Sequence, residues 1–373
     1  MKILHISKYY YPYLGGVENI CKYLAEGTSF ADEVAILCFN DDKCDKEDNV
    51  GGLKVYRVAS KFSIAKQAFS LSYFSVMKKA LEEFAPDIIH FHWANPYPAL
   101  VLLTMIPKNV KLVVHWHMDI IKQKKLYWMV KPIERKLLNR ADLVVVTSPQ
   151  YKQCSKPLQH YLDKVVVVPN AMDEKCFVLN SGDAEKIDMI KSKYNGKRIV
   201  FFVGRHIQYK GLEYLIEAEK YVKSDCIFLI AGTGPLTSSL KDKCKSERVC
   251  FLGRLSDEEL KLYHYAAYIF AFPSITKNEA FGVALAEAMY CKTPCVTFTI
   301  EGSGVNWVSL NGVTGVEVPN RDSVAFAKAI DLLLQDSQLH TSYSENAYNR
   351  VVENFTVDIM NKVMDEAYEK LFV

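Results

Sequence analysis

The stretch Glu279-Ala-Phe-Gly-Val-Ala-Leu-Ala-Glu287 places two carboxylates around an apolar segment that otherwise reads as the start of a buried helix. Just before it, Tyr268-Ile-Phe-Ala-Phe-Pro-Ser274 is a short apolar and aromatic run closed by Pro273, the pattern of a buried parallel strand feeding a loop. Glu279 therefore falls in a strand-to-helix loop. Gly282 permits close backbone approach, and a helix beginning near Phe281 offers unpaired N–H groups and a positive dipole end to an anion. Glu287 follows roughly 7.5 Å along the axis at about 1.5 Å per residue, so both carboxylates can reach one ligand. Phosphate alone repels two acids. A ligand carrying both phosphate and hydroxyls, such as a nucleotide-sugar, reconciles them: the carboxylates accept from ribose and hexose hydroxyls while the helix end takes the diphosphate. Taken by themselves, the same residues also read as an ordinary solvated loop and a helix-face charge.

Working outward, 373 residues of which half are apolar suffice for two sizeable cores. The net charge of +3 gives no bulk argument for a nucleic-acid partner. The ten cysteines are scattered, with no Cys-x-x-Cys pair and no accompanying histidine spacing, and read as reduced residues, neither a disulfide framework nor a zinc site. Met1-Lys-Ile-Leu-His-Ile-Ser-Lys8 is too short and polar for a signal peptide, and no run approaches the roughly 18 apolar residues of a membrane span. The expectation is a soluble or peripheral protein on the cytoplasmic side.

Lys2 to Ser7 reads as a first strand, followed by Tyr9-Tyr-Tyr-Pro-Tyr-Leu-Gly-Gly-Val-Glu18 and a helical pattern. Gly15-Gly16 at that helix start can let the backbone approach a phosphate or a reacting sugar, or simply make a tight loop. Apolar runs recur at Val34–Phe39, Leu53–Val58, Ile88–Trp93, Leu112–His117, Leu143–Thr147 and Val165–Pro169, alternating with helix-like segments that include Ile64 to Phe84 and Tyr127 to Asn139. A polar stretch then runs through Asn180-Ser-Gly-Asp183 to Asn195-Gly-Lys197, where the domain junction is placed. Alternation restarts at Arg198–Val203, Cys226–Ala231, Val249–Leu252, Tyr268–Phe272 and Pro294–Phe298. The pattern predicts an α/β protein of two doubly wound domains facing each other across a cleft, with ligands at the carboxyl ends of the strands.

Several loops at such ends carry chemistry. In Gly204-Arg-His-Ile-Gln-Tyr-Lys-Gly211, Arg205 and Lys210 bracket a turn after a strand; two fixed cations there suit a diphosphate leaving group. Ala231-Gly-Thr-Gly-Pro-Leu236 is glycine-rich at Gly232 and Gly234 but lacks the Lys-Ser/Thr ending of a P-loop, and reads as shaping a nucleotide pocket. His115-Trp-His117-Met-Asp119 ends a strand of the first half; a histidine pair is a possible metal site, but no third ligand has credible spacing. His90 and His92 read as buried or strand-end histidines.

Together, Gly15-Gly16, His117-Met-Asp119, Gly204-Arg205 with Lys210-Gly211, Gly232-Thr-Gly-Pro235 and Glu279-x7-Glu287 resemble the family-4 retaining glycosyltransferases of GT-B fold, of the bacterial surface-polysaccharide type. The resemblance covers nearly the whole chain and rests on joint order and spacing. It implies a Rossmann-like acceptor-side domain over about 1–175, a Rossmann-like nucleotide-sugar domain over about 190–355, and a C-terminal helix over about 356–373 that returns to the first domain. It implies that Arg205 and Lys210 hold the donor diphosphate, that Glu287 binds the ribose hydroxyls, and that Glu279 lies at the donor sugar with the backbone of Phe281 and Gly282 nearby. Gly232 and Gly234 join the donor site, Gly15-Gly16 approaches the phosphate and acceptor, His117 contacts the sugar and assists transfer, and Asp119 lies on the acceptor side. Met118 departs from the small polar residue of the bacterial polysaccharide members, which leaves acceptor geometry open.

The expected activity is a metal-independent hexosyl transfer, with no cofactor, from a GDP- or UDP-linked sugar to a polyprenyl-linked oligosaccharide in O-antigen, capsule or exopolysaccharide synthesis. No Asp-x-Asp metal signature stands beside a strand end, which agrees with cations and a helix dipole in the metal's place. The stretch Lys122 to Lys136, cationic with Tyr127, Trp128 and Met129 interleaved, suits an anionic membrane surface at the inner face of the cell membrane, or else a basic helix with a buried aromatic face. Ile64 to Lys79 can extend that surface. An epimerase or phosphorylase of the same fold, or a non-catalytic partner of a membrane complex, are the competing readings.

Overall fold

Parallel strands bury both faces under their crossover helices, so they are written as continuous apolar runs instead of alternating ones. The computed structural model, which describes residues 1–13, 15–31, 33–60, 62–64, 67–120 and 124–372, builds two sheets from such runs. The chain divides into one unit of Met1–Asn170 with Val357–Val373 and a second of Ala171–Thr356.

In the first unit the strands are β1 (Lys2–Ile6), β2 (Glu33–Asn40), β3 (Lys46–Val50), β4 (Leu53–Ala59), the hairpin β5 (Phe62–Ile64) and β6 (Gln67–Phe69), β7 (Ile88–Trp93), β8 (Lys111–Trp116), β9 (Leu143–Val146) and β10 (Val165–Val167). Its helices are α1 (Gly16–Gly27), α2 (Tyr73–Phe84), α3 (Pro96–Met105), α4 (Lys124–Arg140) and α5 (Pro149–Cys154). The main sheet has the order β10-β9-β8-β7-β1-β2-β4-β3, parallel except for β3 against β4. Chain progression reverses between β1 and β7, and the crevice that opens at such a reversal is where doubly wound sheets bind ligands. Loops after β1 and β8 carry Gly15-Gly16 and His117.

The second unit contains α6 (Asp183–Lys193), β11 (Arg198–Val203), α7 (Leu212–Glu219), β12 (Cys226–Ala231), α8 (Thr237–Lys243), β13 (Val249–Gly253), α9 (Asp257–Ala266), β14 (Ile269–Phe272), α10 (Val283–Tyr290), β15 (Cys295–Phe298), α11 (Val305–Val308), β16 (Gly315–Val318), α12 (Ser323–Gln335) and α13 (Ser337–Asn354). Its all-parallel sheet runs β13-β12-β11-β14-β15-β16 and reverses between β11 and β14. The loops after those two strands are the Gly204–Gly211 and Pro273–Gly282 segments.

Three details differ from the sequence pattern. The helix expected from Ile64 starts only at Tyr73, because Phe62–Ile64 pairs with Gln67–Phe69 as β5 and β6 and Ser70 and Ser72 close a turn through their hydroxyls at 2.9 Å. Strand β3 was invisible in a charged run; it is an edge strand, where Lys46, Glu47 and Asp48 discourage pairing with another chain. The polar residues placed between domains pack into the second unit: Lys261 pairs with buried Asp183 at 2.6 Å and donates to Val178 O, while the Tyr265 hydroxyl donates to Phe177 O.

The last helix, α14 (Val357–Glu369), belongs to the first unit and packs on α1. Its Asp365 carboxylate accepts from Thr28 Oγ1 at 2.5 Å, Ser29 N at 3.0 Å and Ser29 Oγ at 2.7 Å, and Tyr368 stacks on Phe30. Asp365→Ala is expected to cost the first unit about 1–2 kcal/mol, since charge-assisted bonds near solvent are lost, and calorimetry reads this as a lower melting temperature.

Candidate active site

Lys210 and Glu279 meet in the second unit. They come from the loops after β11 and β14, and Lys210 Nζ sits 2.5 Å from Glu279 Oε2, each side chain only 12% exposed. Ser274 Oγ donates to the same carboxylate oxygen at 3.2 Å, and the Ser303 hydroxyl bonds to Glu279 O. The ammonium also lies 5.1 Å over the Phe272 ring. Burial pulls the Lys210 pKa down, but the Glu279 charge, with smaller help from Tyr209 and Glu287, outweighs it and holds the ammonium above the usual lysine value. Lys210 is a cation at every physiological pH.

Backbone fit explains the glycines. Gly211 has φ +63°, and a Cβ there would run into Pro273 O, so only glycine lets the two loops close on each other. A Cβ on Gly232 would strike Gly204 O in the same way. His206, buried between these loops, bonds Thr237 Oγ1 through Nδ1 at 2.9 Å, and its backbone N donates to Thr233 O. Gly234 N donates to Thr237 Oγ1. Arg205 is exposed beside them, and its guanidinium pairs with no carboxylate among the described residues. The buried cation of the cradle is therefore Lys210, and Arg205 is the exposed cation at its rim.

Gly282, with φ +93°, is the N-cap of α10, and no side chain caps this helix end. The helix starts at Val283, two residues later than expected, so Phe281 lies before it and is itself buried among Trp307 and Phe355. Glu287 is on α10 with 21% of its side chain exposed, 3.8 Å from His264 Nε2. This is no ion pair: burial pushes the His264 pKa down to about 3, and neither ring nitrogen has a hydrogen-bond partner among the described residues. Desolvation pushes Glu287 up to about 7, against the attraction of Lys210. With part of its side chain exposed, Glu287 is placed to meet ligand hydroxyls.

In the first unit, Gly15 in extended conformation is the uncapped N-terminus of α1, with the Glu18 carboxyl folded against it and its pKa raised by burial. Arg57, fully buried, anchors the preceding loop by donating to Tyr11 O at 2.5 Å while Asp48 balances its charge at 3.0 Å. Asp119, expected on the acceptor side, is buried, and its Oδ1 accepts from Trp116 Nε1 at 3.0 Å and Ser155 Oγ at 2.7 Å. His117 is buried and neutral, its pKa pushed by burial to about 3, with Nε2 2.9 Å from His92 Nδ1.

Two groups among the described residues bring three metal-ligating atoms within 4.8 Å of one another, His5–Cys21–His92 and His90–His92–His115. Their rings already bond to each other, His5 Nδ1 to His92 Nε2 and His90 Nε2 to His115 Nδ1, both at 3.2 Å. Neither group contains a carboxylate. Sequence reasoning passed over His5, Arg57 and His264, which lie in ordinary apolar runs whose spacing carries no signal, and over His206, which stands unmarked between the two cations of the Gly204–Gly211 loop. Of the basic–aromatic stretch, residues 122 and 123 lie outside the described residues. On α4 Trp128 is 71% and Met129 55% exposed, and no helix among the described residues is long and apolar enough to cross a membrane.

Two parallel-sheet units with a lysine–carboxylate pair and glycine-lined loops at a strand-order reversal define a nucleotide-binding α/β protein of GT-B type. Residues 183–350 match the model of glycosyl transferases group 1, and residues 14–175 that of glycosyltransferase family 4. The chain is 30% identical to the O-antigen chain mannosyltransferase C of Escherichia coli over 96% of each chain. It is likewise 30% identical to D-rhamnosyltransferase WbpZ of Pseudomonas aeruginosa, over 95% of this chain and 92% of that one. Anabaena HepE, solved with UDP and glucose, superposes with a TM-score of 0.77 at 21% identity, covering 99% of this chain and all of that one. The chain therefore belongs to the family-4, group 1 glycosyltransferases.

Because Glu287 in the folded chain keeps its proton up to about pH 7 while the unfolded chain loses it near 4.5, stability of the free protein falls as pH rises through that window. Glu287→Gln is expected to raise the melting temperature at pH 8 by about 2 °C or more while weakening nucleotide binding about tenfold. A lowered melting temperature at pH 8 would show that the ionised carboxylate is satisfied inside the free protein.

Proposed function

We propose that the chain is a retaining, metal-independent hexosyltransferase that moves a sugar from a GDP- or UDP-linked donor to a lipid-linked oligosaccharide during synthesis of a surface polysaccharide. The observation that carries the proposal is the Lys210–Glu279 pair at the β11/β14 reversal. A fixed ammonium there neutralises charge as the diphosphate leaves, and the dehydrated end of α10 adds backbone N–H groups, the service a divalent metal gives in other transferases. Glu279 and Glu287 take sugar and ribose hydroxyls, Arg205 closes on the diphosphate from the rim, and Gly232 and Gly234 let the backbone approach the nucleotide. His117 is the hydrogen-bonding partner of the donor sugar; its low pKa makes it a neutral group throughout the physiological range.

The functions named for the similar E. coli and P. aeruginosa proteins support a surface-polysaccharide pathway and leave mannose and rhamnose as donor sugars to test first. UDP in the HepE structure keeps a UDP-sugar in the panel. Exposed Trp128 and Met129 on α4 support peripheral attachment at the inner face of the cell membrane, where a polyprenyl-linked acceptor resides.

Binding and slow hydrolysis measured across UDP-, GDP- and ADP-sugars should single out one nucleotide class, lost in Glu287→Ala; no binding to any would overturn the transferase reading. Lys210→Ala should reduce turnover by about 100-fold or more with the fold retained by circular dichroism. Unchanged turnover would remove Lys210 from the mechanism.

A further inference from the structure

Five of the chain's nine histidines, His5, His90, His92, His115 and His117, stand on one face of β1, β7 and β8 or at the end of β8. Strand register places His5 beside His90 and His92 beside His115, and all five are buried. Their rings stack, with centroids 4.1 Å apart for His115 and His117 and 5.2 Å apart for His92 and His117. A parallel sheet ordinarily fills this face with Val, Ile and Leu. Burying imidazoles there costs stability unless each polar nitrogen is used.

Three of the rings form a continuous hydrogen-bonded line: His5 Nδ1 to His92 Nε2 at 3.2 Å, then His92 Nδ1 to His117 Nε2 at 2.9 Å. Desolvation keeps all three neutral. A neutral imidazole has one N–H and one lone pair, so the line can be protonated in only two ways, and every ring changes tautomer between them. The far end decides. His5 Nε2 is buried with no hydrogen-bond partner among the described residues. If the bonds point away from His117, this atom is an orphaned N–H. If they point toward His117, it is only a bare lone pair, and buried orphan N–H groups are the rarer and costlier case. The Cys21 sulfur comes within 4.8 Å of nitrogens on His5 and His92 but makes no hydrogen bond to His5 Nε2, and a thiol is too weak a partner to relieve a buried N–H.

We propose that His92 and His5 are positioning residues whose hydrogen-bonded line holds the proton of His117 on Nδ1 and occupies its Nε2, so that His117 meets the substrate as a hydrogen-bond donor and not as a base. The proposal rests on the reading of His117 as the group that contacts the donor sugar. Hydrogen-bond donation from a neutral ring strengthens as charge builds on a sugar oxygen, whereas the ring has no free lone pair with which to take a proton.

The test is a two-bond nitrogen–proton correlation spectrum of the full chain labelled with ¹⁵N-histidine, without substrate, with the His117 signals assigned by their loss in His117→Gln. The expected wild-type pattern at pH 7 is a neutral Nδ1–H tautomer of His117. His92→Phe and His5→Phe keep an aromatic ring but cut the line; each should move His117 to the other tautomer or to a mixture. His92→Phe should also lower kcat about tenfold with KM nearly unchanged, the pattern of an interaction made in the transition state. An Nε2–H or cationic His117 in the wild-type spectrum would overturn the proposal even if both variants fail to fold, as would an unaltered tautomer in a folded His92→Phe. Absence of transfer to any acceptor, with Nδ1–H observed, would instead strike the functional reading and leave the line intact.

Discussion

The structure depends on the need of parallel strands to be joined by crossovers that cover both faces of the sheet. Strands written as Ile-Ile-His-Phe-His-Trp or Arg-Ile-Val-Phe-Phe-Val cannot face water, so helices follow nearly every strand and loops gather at the strand ends. Each sheet starts from a central strand and adds neighbours on both sides, β1 with β2 and β7, and β11 with β12 and β14. Where the winding direction changes, adjacent crossovers leave on opposite faces and the strand ends stay uncovered. Residues of chemical interest fall at these reversals in both units.

At the second reversal, electrostatics and burial act against one another and geometry settles the balance. Moving Lys210 out of water disfavours its charge; the carboxylate of Glu279 at 2.5 Å more than restores it. Glu287, beside a neutral histidine and with no cation in contact, feels an attraction to Lys210 too small to offset its desolvation and rises to about 7. Of these two glutamates, eight positions apart in sequence, only Glu279 has a cation in contact. Gly211 and Gly232 are what allow the backbone to bring these loops together, and Ser303 fixes the main chain of Glu279 from behind.

The first unit makes the opposite choice and fills a core face with neutral polar rings. Tyr368 from α14 hydrogen-bonds His90 at 2.6 Å, so the last helix of the chain completes a cluster begun by the first strand. Residues from both ends of the sequence therefore meet in this cluster. Arg57 plays a related part, spending its buried charge on Tyr11 O and Asp48 to hold the loop that leads to Gly15.

Much of this was written in the sequence. Apolar runs at regular intervals determined the two doubly wound halves, since strand burial leaves a local signature, and glycine with charge at strand ends marked Gly204–Gly211 and Glu279–Glu287 before any coordinates. Edge strand β3 and the β5–β6 hairpin were lost because charged or short strands take their identity from a neighbour, not from their own pattern. The sequence could not pair Glu279 with Lys210, bond Asp119 to Trp116 and Ser155, or reveal that His5, His92 and His117 form one line. Those outcomes arise from side chains as far as 87 residues apart meeting in space, as His5 and His92 do, and pKa and hydrogen bonding depend on such neighbours. Local composition determined which elements form; only tertiary contact decided which of their polar groups are charged, satisfied or free to react.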